Sequence, residues 1–136
     1  MIKGYLIKFQ FLFAAGCFGG LVNRVFVWAM GASGLTEKLG MQINPGWDPS
    51  WVYLGVVWGG IWALLFILPF FPDRKWSSGI LLSLGPSAVQ LFVVLAQNPN
   101  AGMMGLELGG LTPLFVLVAN LTWGLATVAW IKAVTP

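Results

Sequence analysis

Histidine is absent from this chain and cysteine occurs once, as Cys17. Those two scarcities remove most metal chemistry, because ordinary zinc, haem and iron–sulfur centres take their ligands from imidazoles and several thiolates. The usual histidine ligand of a chlorophyll-type magnesium is missing too, and an intramolecular disulfide is excluded. Charge is the next scarcity: 8% of residues are charged, against about 25% in a soluble domain. The net charge of +3 is spread thinly, so no basic patch exists to hold nucleic acid. No Gly-x-Ser-x-Gly, no phosphate-binding loop and no carboxylate pair inside an apolar run is present. Ser83 and Ser87 have no histidine to activate them. No catalytic residue is expected, and no metal or intrinsic cofactor.

Long apolar runs take the place of that missing chemistry. The chain is 58% hydrophobic with a mean hydropathy of +0.85, too little polar surface for water to be the solvent. The pattern predicts an all-α integral membrane protein, one domain over 1–136, with four transmembrane helices in an up-down bundle. They are expected at about 9–30, 51–71, 76–96 and 113–132. A helix over 9–30 rises about 33 Å, enough for a hydrocarbon core of about 30 Å. Residues 1–8 read as a short basic lead. Pro45-Gly46-Trp47-Asp48-Pro49 is turn chemistry before the second run, and Pro69 and Pro72 close it. Pro86 interrupts the third run, and Thr112-Pro113 reads as a hydroxyl cap opening the fourth. The stretch Ala14-Ala15-Gly16-Cys17 resembles a lipoprotein signal, but Ala14 stands where leucine is normal. Cys17 therefore reads as a small hydrophobe.

Orientation follows from the basic residues. Lys3, Lys8, Arg74, Lys75 and Lys132 fall on one side of the expected spans, and Lys38 alone in the opposite loops. The positive-inside rule then places both termini in the cytoplasm. The general architecture is that of small bacterial four-helix membrane proteins, so the bacterial inner membrane is expected. The two long loops share an echo, Gly31, Gly34, Leu35, Glu37, Leu39, Gly40 against Gly102, Gly105, Leu106, Glu107, Leu108, Gly109, as a duplicated hairpin would leave.

Small residues recur at helical spacing: Gly16 and Gly20, Gly55 and Gly59, then Gly79, Ser83 and Ser87, then Gly124 and Thr127. Helix packing explains them, since close backbone approach supplies van der Waals contact where lipid gives no hydrophobic push. Larger polar groups need another account. Arg24 lies inside an apolar run, where an unpartnered arginine costs between about 3 and 17 kcal/mol. Arg24, Asn23, Gln90 and Asn120 are expected to converge on one polar site in the outer half, with Glu107 or Glu37 as candidate charge partners. Among the tryptophans, Trp58, Trp62 and Trp123 are expected to pack.

Three roles fit these residues. The first is a non-catalytic accessory or scaffold subunit of a larger inner-membrane complex, of the kind used in energy conversion. It would pack against other integral membrane subunits, lipids or pigments. The second is a small oligomeric transporter or channel for an anionic or neutral solute, with Arg24 as its anion-attracting element. The third is a quinone- or lipid-binding membrane module.

Overall fold

A computed structural model describes residues 2–72 and 74–135, and among these the regular secondary structure is all helical. In chain order the helices are α1 (Ile2–Ala32), the single turn α2 (Leu35–Lys38), α3 (Pro49–Ala63), α4 (Trp76–Val89) and α5 (Thr112–Val134). A 3-10 turn, Leu64–Ile67, extends α3, a π turn, Gln90–Val94, extends α4, and a further 3-10 stretch, Met103–Leu108, lies in the second long loop. Four of these segments, Ile2–Ala32, Pro49–Ile67, Trp76–Val94 and Thr112–Val134, are long and apolar enough to cross a membrane.

Several boundaries depart from expectation for local reasons. The basic lead is no lead: helix begins at Ile2, because Lys3 and Lys8 are good helix formers and Gly4 alone is a weak breaker. α3 begins two residues early, since the Asp48 carboxylate caps it by accepting from the Ser50 amide at 3.2 Å and Pro49 fills the first turn. It also ends early, at Ile67 rather than 71. Leu68 is extended, with φ −69° and ψ 143°, as the ring of the following Pro69 demands. The cap expected of Thr112 does not form. Leu111 holds the cap position, and the Thr112 hydroxyl is buried without a hydrogen-bond partner.

The four spans run up and down. α1 is antiparallel to α3 and to α5, and α5 is antiparallel to α4, as successive contacts show: Gly16 meets Gly59 and Gly20 meets Gly55, Gly19 meets Trp123 and Thr127, and Gly79 meets Gly124. A Cβ at Gly16, Gly20, Gly79 or Gly124 would run into the facing helix's backbone, so these glycines set the helix separation. Ile2 and Thr135, the ends of the described chain, therefore lie at one end of the bundle with Arg74, which bonds the Thr135 hydroxyl, and Lys132 reaches the Arg74 carbonyl at 3.3 Å. That half is filled by Leu12, Ala15, Ala63, Phe66, Leu82, Val128 and Ile131.

The loops at the opposite end interlock. The Gln42 amide donates to the Leu108 carbonyl at 2.7 Å, and Gly109, at φ 147°, presses on the Gly40 carbonyl where no side chain fits. The Thr36 hydroxyl holds the Ile43 carbonyl at 2.6 Å. The loops that echo each other in sequence differ in form, one carrying α2 and the other the 3-10 stretch.

Candidate functional site

Toward the loop end the bundle opens. α1 packs on α3 and α5, and α4 on α5, but among the described residues α3 and α4 form no packed seam. The Trp62 ring comes up against Gly85 there. Above it lies a cavity of about 850 Å³, within the range of about 300–1,000 Å³ common for small-molecule sites. Its back wall is α1 and α5, its sides are α3 and α4, and Gln42, Ile43, Asn44 and Pro45 of the first loop line it at the loop end. Trp62 and Trp123 line its floor.

Arg24 is built into the α1–α3 seam. Its stem runs over Gly55, where even a methyl group would strike the Nε and Cδ atoms. Nε donates to the Trp51 carbonyl at 3.0 Å. The guanidinium carbon sits 4.6 Å from the Trp51 ring centroid, a cation–π geometry. This arrangement gives the charge a carbonyl and an aromatic face but no counter-charge. The carboxylates expected to pair with it do not: Glu37 and Glu107 are exposed, neither lines the cavity, and no ion pair joins them to Arg24 among the described residues. Glu107 folds back against Gly102 instead, and Glu37 lies on the single turn α2. Both loops are held by their own backbone contacts, leaving the acids on the surface.

The carboxamides arrive from three helices. Asn23, beside Arg24 on α1, turns the other way and donates to the Ala119 carbonyl of α5 at 2.7 Å. Asn120 donates to the Ser87 hydroxyl at 3.1 Å and to Gln90 Oε1 at 3.3 Å, while Ser87 donates to the Ser83 carbonyl at 2.8 Å. The cavity thus brings Arg24, Asn23, Gln90 and Asn120 onto one lining. Ser83 and Ser87 bond within their own helix, the usual satisfaction of a helical hydroxyl. Gln90 opens the π turn. Pro86, which supplies no N–H to the carbonyl four residues back, lies one turn before it. A wide turn of this kind often marks a functional site.

Other lining residues escaped the sequence reading. Trp51, Leu54, Trp58 and Trp62 make a stripe on α3 that forms one side of the cavity. Their three- and four-residue spacing was visible, but α3 is apolar all round, so nothing in its pattern says which face meets protein. Trp58, expected to pack, is 55% exposed, whereas Trp123 is buried and its indole N–H donates to the Gly59 carbonyl at 3.1 Å. Gln42, Asn44, Asn98 and Thr112 also line the cavity, and the chain gives no spacing signal for them because they come from loops and a helix start.

Chemically the lining is lopsided. Arg24 is its single charged residue, with no acid beside it. Of the five N–H donors a guanidinium offers, Nε is used, and those on the two terminal nitrogens bond no described residue. The remaining polar groups are neutral, and much of the wall is indole and branched aliphatic side chain. Such a lining can bind and orient; it carries no nucleophile paired with a base. No protein-family model, curated protein or solved structure matches the chain.

Proposed function

We propose that this chain is a multi-pass membrane protein acting as a binding module for an amphiphile, a lipid- or quinone-like molecule with an oxygen-bearing head and an apolar tail. The observation that carries the reading is the gap between α3 and α4. It joins a cavity with a cationic, carboxamide-lined end to a mouth walled by Leu54, Trp58, Val89 and Val94. In a bilayer that mouth faces acyl chains, so the ligand enters sideways with its head leading.

The basic residues favour an orientation with the termini in the cytoplasm and the cavity in the outer half of a bacterial inner membrane. The transporter reading gains little from this geometry, because a hydrophobic core of buried side chains fills the terminal half. The accessory-subunit reading gains nothing specific, since apolar side chains face outward on any helix that lipid surrounds.

The test is to purify the chain in native lipid, extract it with organic solvent and weigh what is released. One amphiphile retained per chain after delipidating washes is expected. It should be lost on Val89→Trp, which fills the mouth at an exposed position without touching Arg24. A folded wild-type chain that retains nothing overturns the proposal.

A further inference from the structure

We infer that the amphiphile this cavity selects carries a monoanionic head, a phosphate diester or a carboxylate, held on the terminal nitrogens of Arg24. The inference rests on the binding reading above and adds the chemistry of the ligand to it. Arg24 brings a full positive charge to a lining without an acid. Its Nε bond to the Trp51 carbonyl and its seat over the Trp51 ring hold the guanidinium in place. What stays free is the edge bearing both terminal nitrogens, the fork that fits two oxygens of a phosphate or carboxylate. A neutral head would leave this charge uncompensated in a low-dielectric site, and a cationic one would be repelled.

Gly55 is the positioning residue. A side chain there would strike the Arg24 stem, so the absence of a Cβ is what lets the fork lie along α3. The carboxamides of Gln90 and Asn23 flank the same cavity with neutral donors and acceptors, suited to the esters or hydroxyls around an anionic centre. A second unspent group is the Thr112 hydroxyl, fully buried at the loop end of the lining with no protein partner.

Native mass spectrometry of the full chain in mild detergent tests this. The chain is offered phosphatidylglycerol and phosphatidylcholine with identical acyl chains, with ubiquinone as a neutral competitor and glycerol phosphate as a tail-free anion. Phosphatidylglycerol is expected to exceed phosphatidylcholine by about tenfold, and neither ubiquinone nor glycerol phosphate at equal concentration should displace it. Arg24→Gln is expected to bring the ratio near one while lipid adducts persist. Arg24→Lys should keep part of the preference, and Gly55→Ala should lower it without removing a charge. Should Arg24→Gln fail to fold, Val89→Trp serves instead, since blocking the mouth must abolish the preference if it arises in this cavity.

Equal binding of the two lipids, a preference that survives both Arg24→Gln and Val89→Trp, or displacement by ubiquinone overturns the inference while leaving amphiphile binding intact. Displacement by glycerol phosphate overturns the lipid as the anion's source. No adduct with any lipid or quinone removes both proposals together.

Discussion

The two halves of this bundle are made from the same four helices and pack in opposite ways. Toward the termini, glycines and small side chains let backbones touch, and Leu12, Ala15, Phe66 and Val128 fill what is left. Toward the loops, tryptophans, carboxamides and one arginine hold the helices apart around an open cavity. The difference shows that a four-helix bundle can stay closed with three of its seams. α1–α3, α1–α5 and α4–α5 carry the packing, and α3–α4 is left open. A duplicated hairpin would place a fourth seam there as the counterpart of α1–α5; the cavity occupies the place where that symmetry would have put it.

The closed half should suffer most when it is pushed open. Gly124→Val would drive a branched side chain into the Gly79 carbonyl across α4–α5. Overpacking costs about 1–3 kcal/mol and occasionally more, and a backbone cannot step aside as a side chain can. A loss at the top of that range is expected, read as a lowered midpoint of unfolding in detergent. Gly55→Ala should cost less, about 1 kcal/mol, because the atom in the way belongs to the flexible Arg24 side chain as well as to the seam. Its sharper signature is a drop in anionic-lipid preference larger than its drop in stability. Equal losses on both scales would mean that Gly55 serves packing alone.

How much of this was legible in the chain divides along the same line. The four spans and their up-down order followed from run length and from the prolines between runs. The glycine stripes announced the close seams, because small residues recur at helical spacing where backbones touch. Arg24, Asn23, Gln90 and Asn120 stood out because each is costly in an apolar run. What did not follow was the partner of Arg24. A carbonyl and an indole on α3 hold the guanidinium in place without a counter-charge, and a backbone carbonyl leaves no mark in a sequence. The open seam was equally silent: α3 is apolar on every face, and the stripe of Trp51, Trp58 and Trp62 reads the same whether it meets a helix, lipid or a ligand. Helix ends moved for reasons of one residue each, Asp48 as a cap and Pro69 through its effect on Leu68.

Polar bonds across the seams come next in expected size. Asn23→Ala removes the donor to the Ala119 carbonyl across α1–α5, and Trp123→Phe removes the donor to the Gly59 carbonyl. Interhelical hydrogen bonds of this kind average about 0.6 kcal/mol in a membrane, so the Asn23 change should lower stability by about that amount. Trp123→Phe should cost more, since the buried ring also gives up packing volume. A loss above about 2 kcal/mol for Asn23→Ala would show that the loop half depends on its carboxamides more than on its helices, and the contrast between the halves would need redrawing.

The smallest change is expected where the cavity meets its surroundings, and it separates an open seam from a loosely closed one. Leu54 is 57% exposed and Val94 56%, both on the mouth and neither buried against a neighbour. If α3 and α4 drew together in a bilayer, these side chains would become core, and truncating Leu54 to alanine would cost about 2–5 kcal/mol as large-to-small core changes do. If the seam stays open, Leu54→Ala touches only what lies in the mouth, and stability should move by less than about 0.5 kcal/mol. Retention of a bound amphiphile should then fall while the fold is unchanged. Unfolding midpoints measured in detergent and again in nanodiscs decide between the two: a penalty that appears only in the bilayer means that lipid presses the seam shut, and a small one in both means that the gap is where lipid and protein exchange molecules.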